Sequence, residues 1–229
     1  MDALRRRIRT VKRRTVRVVA RPRRGIHQVA IALTFDDGPT AATPAVLEVL
    51  AEHQVQATFF IVGRNAERSP GLVSRIVSEG HSIGSHSLAH LDPYTSSPRA
   101  IFRDWRDGHR AVENAASRRV VLFRPPYGRL PIVGAVAARS LRAQTWLWTC
   151  GGNDWQSQAD VADVFAMIEP AEPGDVVLLH DGVEPRELRP DSQDRSAMVG
   201  ALRCFLVRAI ARGQRFVRLE DDFVAPSGG

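Results

Sequence analysis

Seven short apolar runs, each of strand length, recur along this chain with helical patterns between them. The runs are "VAIALTF" (29–35), "ATFFIVG" (57–63), "HSIGSHS" (81–87), "VVLFRPP" (120–126), "TWLWT" (145–149), "DVVLLHD" (175–181) and "RFVRL" (215–219). Helical periodicity occupies the intervals near 43–53, 70–79, 98–117, 131–142, 160–169 and 196–212. The last is the clearest: Met198, Ala201, Leu202, Phe205, Ala209 and Ile210 fall on one face, and Gly213 follows as a stop. Strands without a polar face, alternating with helices, indicate a parallel sheet covered on both sides. A length of 229 residues, 44% of them hydrophobic, suits one such domain with a sizeable core. No run approaches the ~20 apolar residues that a membrane-spanning helix needs.

The net charge of +7 belongs to one end of the chain. Residues 1–24 hold eleven Lys and Arg against a single acid, Asp2, so that +10 sits there and the remainder carries −3. The expected division is therefore a basic arm over 1–25, one domain over 26–222 and a short tail over 223–229. Such an arm suits an anionic polymer or a membrane surface. With no aromatic or folded basic motif beside it, no specific nucleic-acid partner is expected, and a solvated arm is the plainer reading. "VRVVA" is too short to be the apolar core of a signal peptide, which makes the cytoplasm the expected location, or the exterior if the start is misassigned. Cys150 and Cys204 each lie in apolar surroundings and are expected as buried free thiols.

The polar signals have a common address. "DDG", "SLAH", "RPPYG", "GGNDW" and "HDG" each fall at or just beyond the C-terminal end of an expected strand. In α/β folds that edge is where loops build the active site. Asp36 and Asp37 are adjacent, and strand alternation alone would send them to opposite faces. A Gly38-Pro39 turn just past the strand can aim both at one cleft. His86 and His90 are four apart, the spacing that stacks two imidazoles on one helical turn. With one aspartate from another strand end they make a two-histidine, one-carboxylate metal site with positions left open, which zinc suits and other divalent metals fit nearly as well. The second aspartate then has the position of an uncoordinated base beside the metal's water. Arg124 can hold a carboxylate ionised, the Tyr127 N–H can serve an oxyanion, and His180 can protonate a leaving group with an aspartate such as Asp154 behind it. A non-haem iron oxygenase shares the donor set but leaves the extra Asp, Arg124 and His180 idle.

In order along the chain, "TFDDGP", "HSLAH", "RPPYG", "DW" and "LLH" resemble the five motifs of the polysaccharide deacetylase family, the NodB-homology group of carbohydrate esterase family 4. The resemblance implies an α/β fold, a distorted (β/α) barrel of about seven repeats. It also implies a metal-dependent hydrolase removing acetyl groups from an N-acetylated, or O-acetylated, carbohydrate. In that pattern Asp36 is the general base; Asp37, His86 and His90 bind the metal, zinc with cobalt, nickel or manganese as alternatives. Arg124 orients the base, and His180 is the general acid partnered by Asp154. Tyr127, Trp155 and Leu178 meet the substrate. The partner implied is an N-acetylated oligo- or polysaccharide or glycoside. An N-acetylglucosaminyl metabolite and a non-catalytic carbohydrate binder on the same fold are the other readings.

Overall fold

The computed structural model describes residues 29–151, 153–156, 159–183 and 194–223. The expected arm and nearly all of the expected tail lie outside the described residues. Seven strands form one sheet: β1 (Ala32–Asp36), β2 (Thr58–Ile61), β3 (Ser82–Ser85), β4 (Leu122–Phe123), β5 (Gln144–Thr145), β6 (Cys150–Gly151) and β7 (Val176–His180). Their spatial order is β5-β4-β3-β2-β1-β7-β6, and every pairing is parallel. The helices are α1 (Thr43–Glu52), α2 (Gly63–Arg68), α3 (Pro70–Ser78), α4 (Pro98–Ala116), α5 (Ile132–Ser140), α6 (Val161–Ile168) and α7 (Ser196–Ala211).

The connection from β5 to β6 shows that this sheet is curled. A flat sheet of seven strands would hold its edges about 29 Å apart, at ~4.8 Å per strand. β5 and β6 are those two edges, yet only residues 146–149 join them. Such a connection reaches about 18 Å at most, so the sheet is curled into at least a half-barrel. The run "TWLWT", expected as one strand, is this crossing: its first residue ends β5, and the rest bridges the mouth.

Two-residue alternation then sorts the side chains. Leu33, Phe35, Phe59, Ile61, Val177 and Leu179 pack outward against helix residues such as Val46, Leu50, Ile76, Leu202 and Phe205. The intervening positions face the inside of the curl, where Ala32, Phe60, Leu122, Trp146 and Val176 form a smaller cluster. Thr34 and Asp36 on β1, and Leu178 and His180 on β7, share that inner face by the same alternation. The polar residues at the upper strand ends therefore cap an apolar plug.

Several sequence expectations shift. The first turn after β2 is helix α2, six residues long and too short to show a period. The run 215–219 is not a strand; it makes one parallel bridge, Phe216 to Ile31, before a 3-10 turn at Leu219–Phe223. β7 and β2 flank β1 from Ala32 and Thr34 upward, which ends the pairing there. On α7 the buried stripe includes Leu206, whereas Ile210 is 44% exposed. Both cysteines are free, but Cys204 is exposed and Cys150 only partly covered, so neither is a core thiol.

Candidate active site

Asp36 is the last residue of β1, and its Cα partner on β7 is His180. Asp37 follows with φ 71°, a left-handed conformation that aspartate tolerates better than most residues. That reversal resolves the problem of two adjacent carboxylates. His86 Nε2 lies 3.6 Å from Asp36 Oδ2 and 3.5 Å from Asp37 Oδ1, so both acids reach one imidazole. Asn65 of α2 donates from Nδ2 to the Asp37 main-chain oxygen at 2.7 Å and fixes the turn.

The two histidines do not sit on a helical turn as their spacing predicts. His86 follows the end of β3, and His90 lies in an irregular loop at φ 53°, with Ser87 at φ 66°. Both side chains nonetheless converge. His90 Nε2 is 3.4 Å from Asp37 Oδ1 and 3.2 Å from His86 Nε2. His86 Nδ1 donates to the Arg124 main-chain oxygen at 2.7 Å, which leaves the Nε2 lone pair facing the cluster. Burial first, then the His90 charge, pushes the His86 pKa down to about 3 against the pull of Asp37, so the ring is neutral at ordinary pH.

These atoms fit a metal ion. Ligands about 2.0–2.1 Å from zinc at tetrahedral angles lie roughly 3.3–3.4 Å from one another. The three separations here are 3.2, 3.4 and 3.5 Å. Asp37 Oδ1 is moreover buried with no hydrogen-bond partner among the described residues, a costly state for a carboxylate oxygen unless a cation occupies the space before it. Asp37, His86 and His90 form the group able to hold a metal.

Arg124, fully buried, follows β4 and reaches across the curl. Its Nη1 donates to Asp36 Oδ1 at 2.7 Å and to Thr34 Oγ1 at 2.9 Å, and Nε and Nη2 donate to the Trp146 and Leu147 carbonyls. Burial raises the Asp36 pKa, while Arg124 and His180 oppose the rise. On the other side, Asp154 accepts from His180 twice, Oδ2 from the backbone N–H and Oδ1 from ring Nδ1, each at 2.8 Å. Burial disfavours charge on that ring, but Asp154, Asp37 and Asp36 together outweigh it and lift the His180 pKa to about 9.

Tyr127 stands in the turn after Arg124 at φ 57°, its ring 4.6 Å from that of His90. Leu178 is buried, two residues before His180 on the same face, and Trp155, 39% exposed, lies at the rim beside Asp154. The geometry thus gathers Asp36, Asp37, His86, His90, Arg124, Asp154 and His180 into one contact network, with Tyr127 against it.

A sequence model of the family described as polysaccharide deacetylase matches residues 24–145. The chain belongs to the polysaccharide deacetylase family. It is 36% identical over 194 residues to the peptidoglycan-N-acetylglucosamine deacetylase of Bacillus cereus, covering 83% of this chain and 86% of that one. It is also 36% identical over 184 residues to the chitooligosaccharide deacetylase of Sinorhizobium fredii, 79% of this chain and 86% of that protein. A solved structure of a peptidoglycan N-acetylglucosamine deacetylase superposes with TM-score 0.74 at 28% identity, over 88% of this chain and 91% of the other. As a polysaccharide deacetylase the protein is a carbohydrate-directed hydrolase, and its (β/α) barrel is that of the family.

Two buried acids in this deacetylase escaped the sequence reading. Asp104 of α4 accepts the Ala89 N–H through Oδ1 at 2.9 Å, and its main-chain oxygen accepts the Leu88 N–H at the same distance. Beside it a side chain on Gly108 would meet the Ser87 backbone at 2.1 Å, so α4 presses directly on the histidine loop. Asp181 accepts from Thr43 Oγ1 at 2.6 Å and sits where any side chain on Gly38 would collide, 2.2 Å from its Oδ2. Burial, with Asp37 and Asp36, pushes its pKa up to about 7 against the Thr43 bond. A lone charge in the apolar stripe Ile101–Trp105–Val112 was the available signal for Asp104; for Asp181 it was the "HDG" motif itself.

Proposed function

We propose that this polysaccharide deacetylase hydrolyses the acetamide of N-acetylglucosamine units in an oligo- or polysaccharide, using a divalent metal, zinc by the donor set. The observation that carries the proposal is the convergence of Asp37 Oδ1, His86 Nε2 and His90 Nε2 on one point beside an arginine-held Asp36. The substrate class follows from the relatives, named as deacetylases of peptidoglycan N-acetylglucosamine and of chitooligosaccharides.

When bound, the metal supplies Lewis acidity toward the acetyl carbonyl and lowers the pKa of its water. The protein's own groups do the rest. Arg124 occupies Asp36 Oδ1, which leaves Oδ2 as the atom that takes the proton from the attacking water. A pKa raised by burial makes that carboxylate a stronger base than an exposed one. Asp154 holds His180 Nδ1, so the opposite nitrogen, Nε2, carries the proton to the departing amine. The Tyr127 N–H, in its left-handed turn, is assigned to the developing oxyanion. Leu178 and Trp155 border the space for the acetyl methyl and the sugar.

The experiment is acetate release from N-acetylglucosamine oligomers, read together with metal content. Chelation should abolish release, and zinc or cobalt should restore it. Asp36→Asn should keep its metal and lose rate by about two orders of magnitude or more, as for a removed general base. Asp37→Asn should lose the metal. Full release from protein shown by elemental analysis to be metal-free would overturn the mechanism, and an emptied site in Asp36→Asn would reverse the two roles.

A further inference from the structure

Asp36 and Asp37 can serve one imidazole only while the turn behind them keeps its shape, and two parts of the fold clamp that turn. On one side stand α2 and the residue before it. The Val62 N–H donates to the Gly38 carbonyl at 3.1 Å, and Asn65 Nδ2 to the Asp37 carbonyl at 2.7 Å. On the other side the chain leaves β7. A side chain on Gly182 would meet the Asp37 carbonyl at 2.5 Å, and the Asp181 carboxylate fills the place of a side chain on Gly38. The two segments interlock.

Two threonines extend this contact. Thr43, the first residue of α1, donates from Oγ1 to Asp181 Oδ2 at 2.6 Å and accepts the Thr40 N–H at 2.8 Å. Thr40 Oγ1 in turn donates to the Asp181 main-chain oxygen. Asp181 thus bonds both ends of the segment 40–43 that follows the turn. Asp181 and Thr43 are buried, and Asp181 Oδ1 has no hydrogen-bond partner among the described residues. A buried carboxylate satisfied on one oxygen, within the field of Asp37 and Asp36, costs stability. Local costs of this kind persist where function draws on the geometry they impose.

We propose that Asp181 is a positioning residue for the active site. Through Thr43 and the interlock with Gly38 it holds Asp37 in its left-handed conformation, so that Asp37 Oδ1 stays aimed at the metal position and Asp36 Oδ2 stays open to water. The proposal rests on the metal-dependent reading above and adds to it a residue that acts only through others. Its neighbour in the chain is His180. The end of β7 would then serve the acid directly, and the base and the metal ligand through the turn.

The competing explanation is a staple, in which Asp181 and Thr43 only fasten β7 to α1. A staple changes the melting temperature and leaves the folded site as it is. A positioning residue changes how the folded protein holds its metal and turns substrate over.

The experiment titrates folded, metal-free protein with zinc against a chelating dye and records the visible spectrum of the cobalt form. The proteins are wild type, Asp181→Ala, Asp181→Asn, Thr43→Val, Thr43→Ser and the double variant Asp181→Ala/Thr43→Val. Values of kcat and KM on one N-acetylglucosamine oligomer follow at saturating zinc. Asp181→Ala and Thr43→Val should each bind zinc about tenfold more weakly, with shifted cobalt bands. Their kcat should fall by about tenfold or more with KM little changed, as expected for displaced reacting groups. Asp181→Asn keeps an acceptor oxygen and Thr43→Ser keeps the hydroxyl, so both should retain most of the zinc affinity and rate. The double variant should lose little more than either single one, because both remove the same bond. Wild-type zinc affinity, cobalt spectrum and kcat in Asp181→Ala and Thr43→Val would establish the staple and overturn the proposal, whatever their melting temperatures. Asp181→Asn as weak as Asp181→Ala, with Thr43→Val unaffected, would overturn it too, by assigning the effect to charge. The zinc and cobalt measurements need no substrate. A wild type that binds zinc, loses this affinity in Asp181→Ala and Thr43→Val, yet releases no acetate, would overturn the activity and leave the positioning standing.

Discussion

Asp36 and His180 face each other across β1 and β7, and the structure raises the pKa of both. Arg124 Nη1 on Asp36 Oδ1 favours the carboxylate against its burial, and the doubly bonded Asp154 favours the imidazolium against its own. A carboxylate whose basicity burial raises, beside an imidazole held protonated by its own carboxylate, suits the base and the acid of one reaction. The pH dependence follows with a definite sign. In the proposed mechanism Asp36 acts ionised, so kcat/KM should fall on the acid side of its raised pKa. In the same mechanism His180 acts protonated, so activity should fall as pH rises toward about 9, and at lower pH once a bound cation adds its repulsion. Replacing Asp154 by Asn removes the largest influence that raises the His180 pKa and leaves the burial that lowers it. The alkaline limb of the Asp154→Asn profile should therefore move to lower pH by about one unit or more, with a lower maximum. Profiles of kcat/KM for the two proteins on one soluble oligomer test this. An alkaline limb that stays in place would assign it to a group other than His180.

Among the elements, the loop from β3 to α4 shows both what the sequence disclosed and what it withheld. Strand ends and their polar residues were legible, because a period of two, a period near 3.6 and turn residues are local properties. Asp36, Asp37, His86, His90, Arg124, Asp154 and His180 were found on that basis and do meet. The shape of the histidine loop was not legible. A spacing of four reads as helix, but Ser87 and His90 adopt left-handed conformations that hold only because other elements impose them. The Ser87 hydroxyl accepts the His90 N–H at 2.9 Å, the Gly63 N–H donates to the Ser87 carbonyl, and Asp104 and Gly108 press from α4. All but the first are long-range contacts, which is why α4 looked from its sequence like an ordinary packing helix. Asp104→Ala deletes the acceptor of the Ala89 N–H and should loosen His90. Outer partners of metal ligands commonly account for about 10–100-fold in affinity, and a loss near the lower figure is expected for zinc, measured by competition with a chelating dye. Asp104→Asn keeps an acceptor oxygen and should lose less. Wild-type zinc affinity in Asp104→Ala would show that the loop holds its shape without this support.

At the scale of the whole molecule, one side chain connects the parts that the curled sheet brings together. Arg124, following β4, bonds Asp36 on β1 and the two carbonyls of the segment crossing between the sheet's edges, and its main-chain oxygen holds His86. The Phe60 ring lies 4.0 Å beneath its guanidinium, closing it off from water. A charge so placed is costly to strand. Removing one partner of a buried ion pair typically costs about 3–5 kcal/mol, because the other charge is left unpaired in the interior. Replacing both partners by uncharged groups of similar size costs far less. Arg124→Met should therefore lower the melting temperature by roughly 6–20 °C, at about 2–4 °C per kcal/mol for a chain of this size. Asp36→Asn combined with Arg124→Met should recover a substantial part of that loss while remaining inactive. The comparison belongs in metal-free protein, where differences in zinc affinity cannot enter, with all four proteins of the cycle unfolded under the same conditions. Arg124→Met melting with wild type would show that the guanidinium adds no stability; substitutions that add without coupling would show that its stability comes from its other partners and not from the Asp36 pair. The geometry requires coupling, since Arg124 Nη1 and Asp36 Oδ1 are a buried pair 2.7 Å apart, and removing either one alone strands the other's charge.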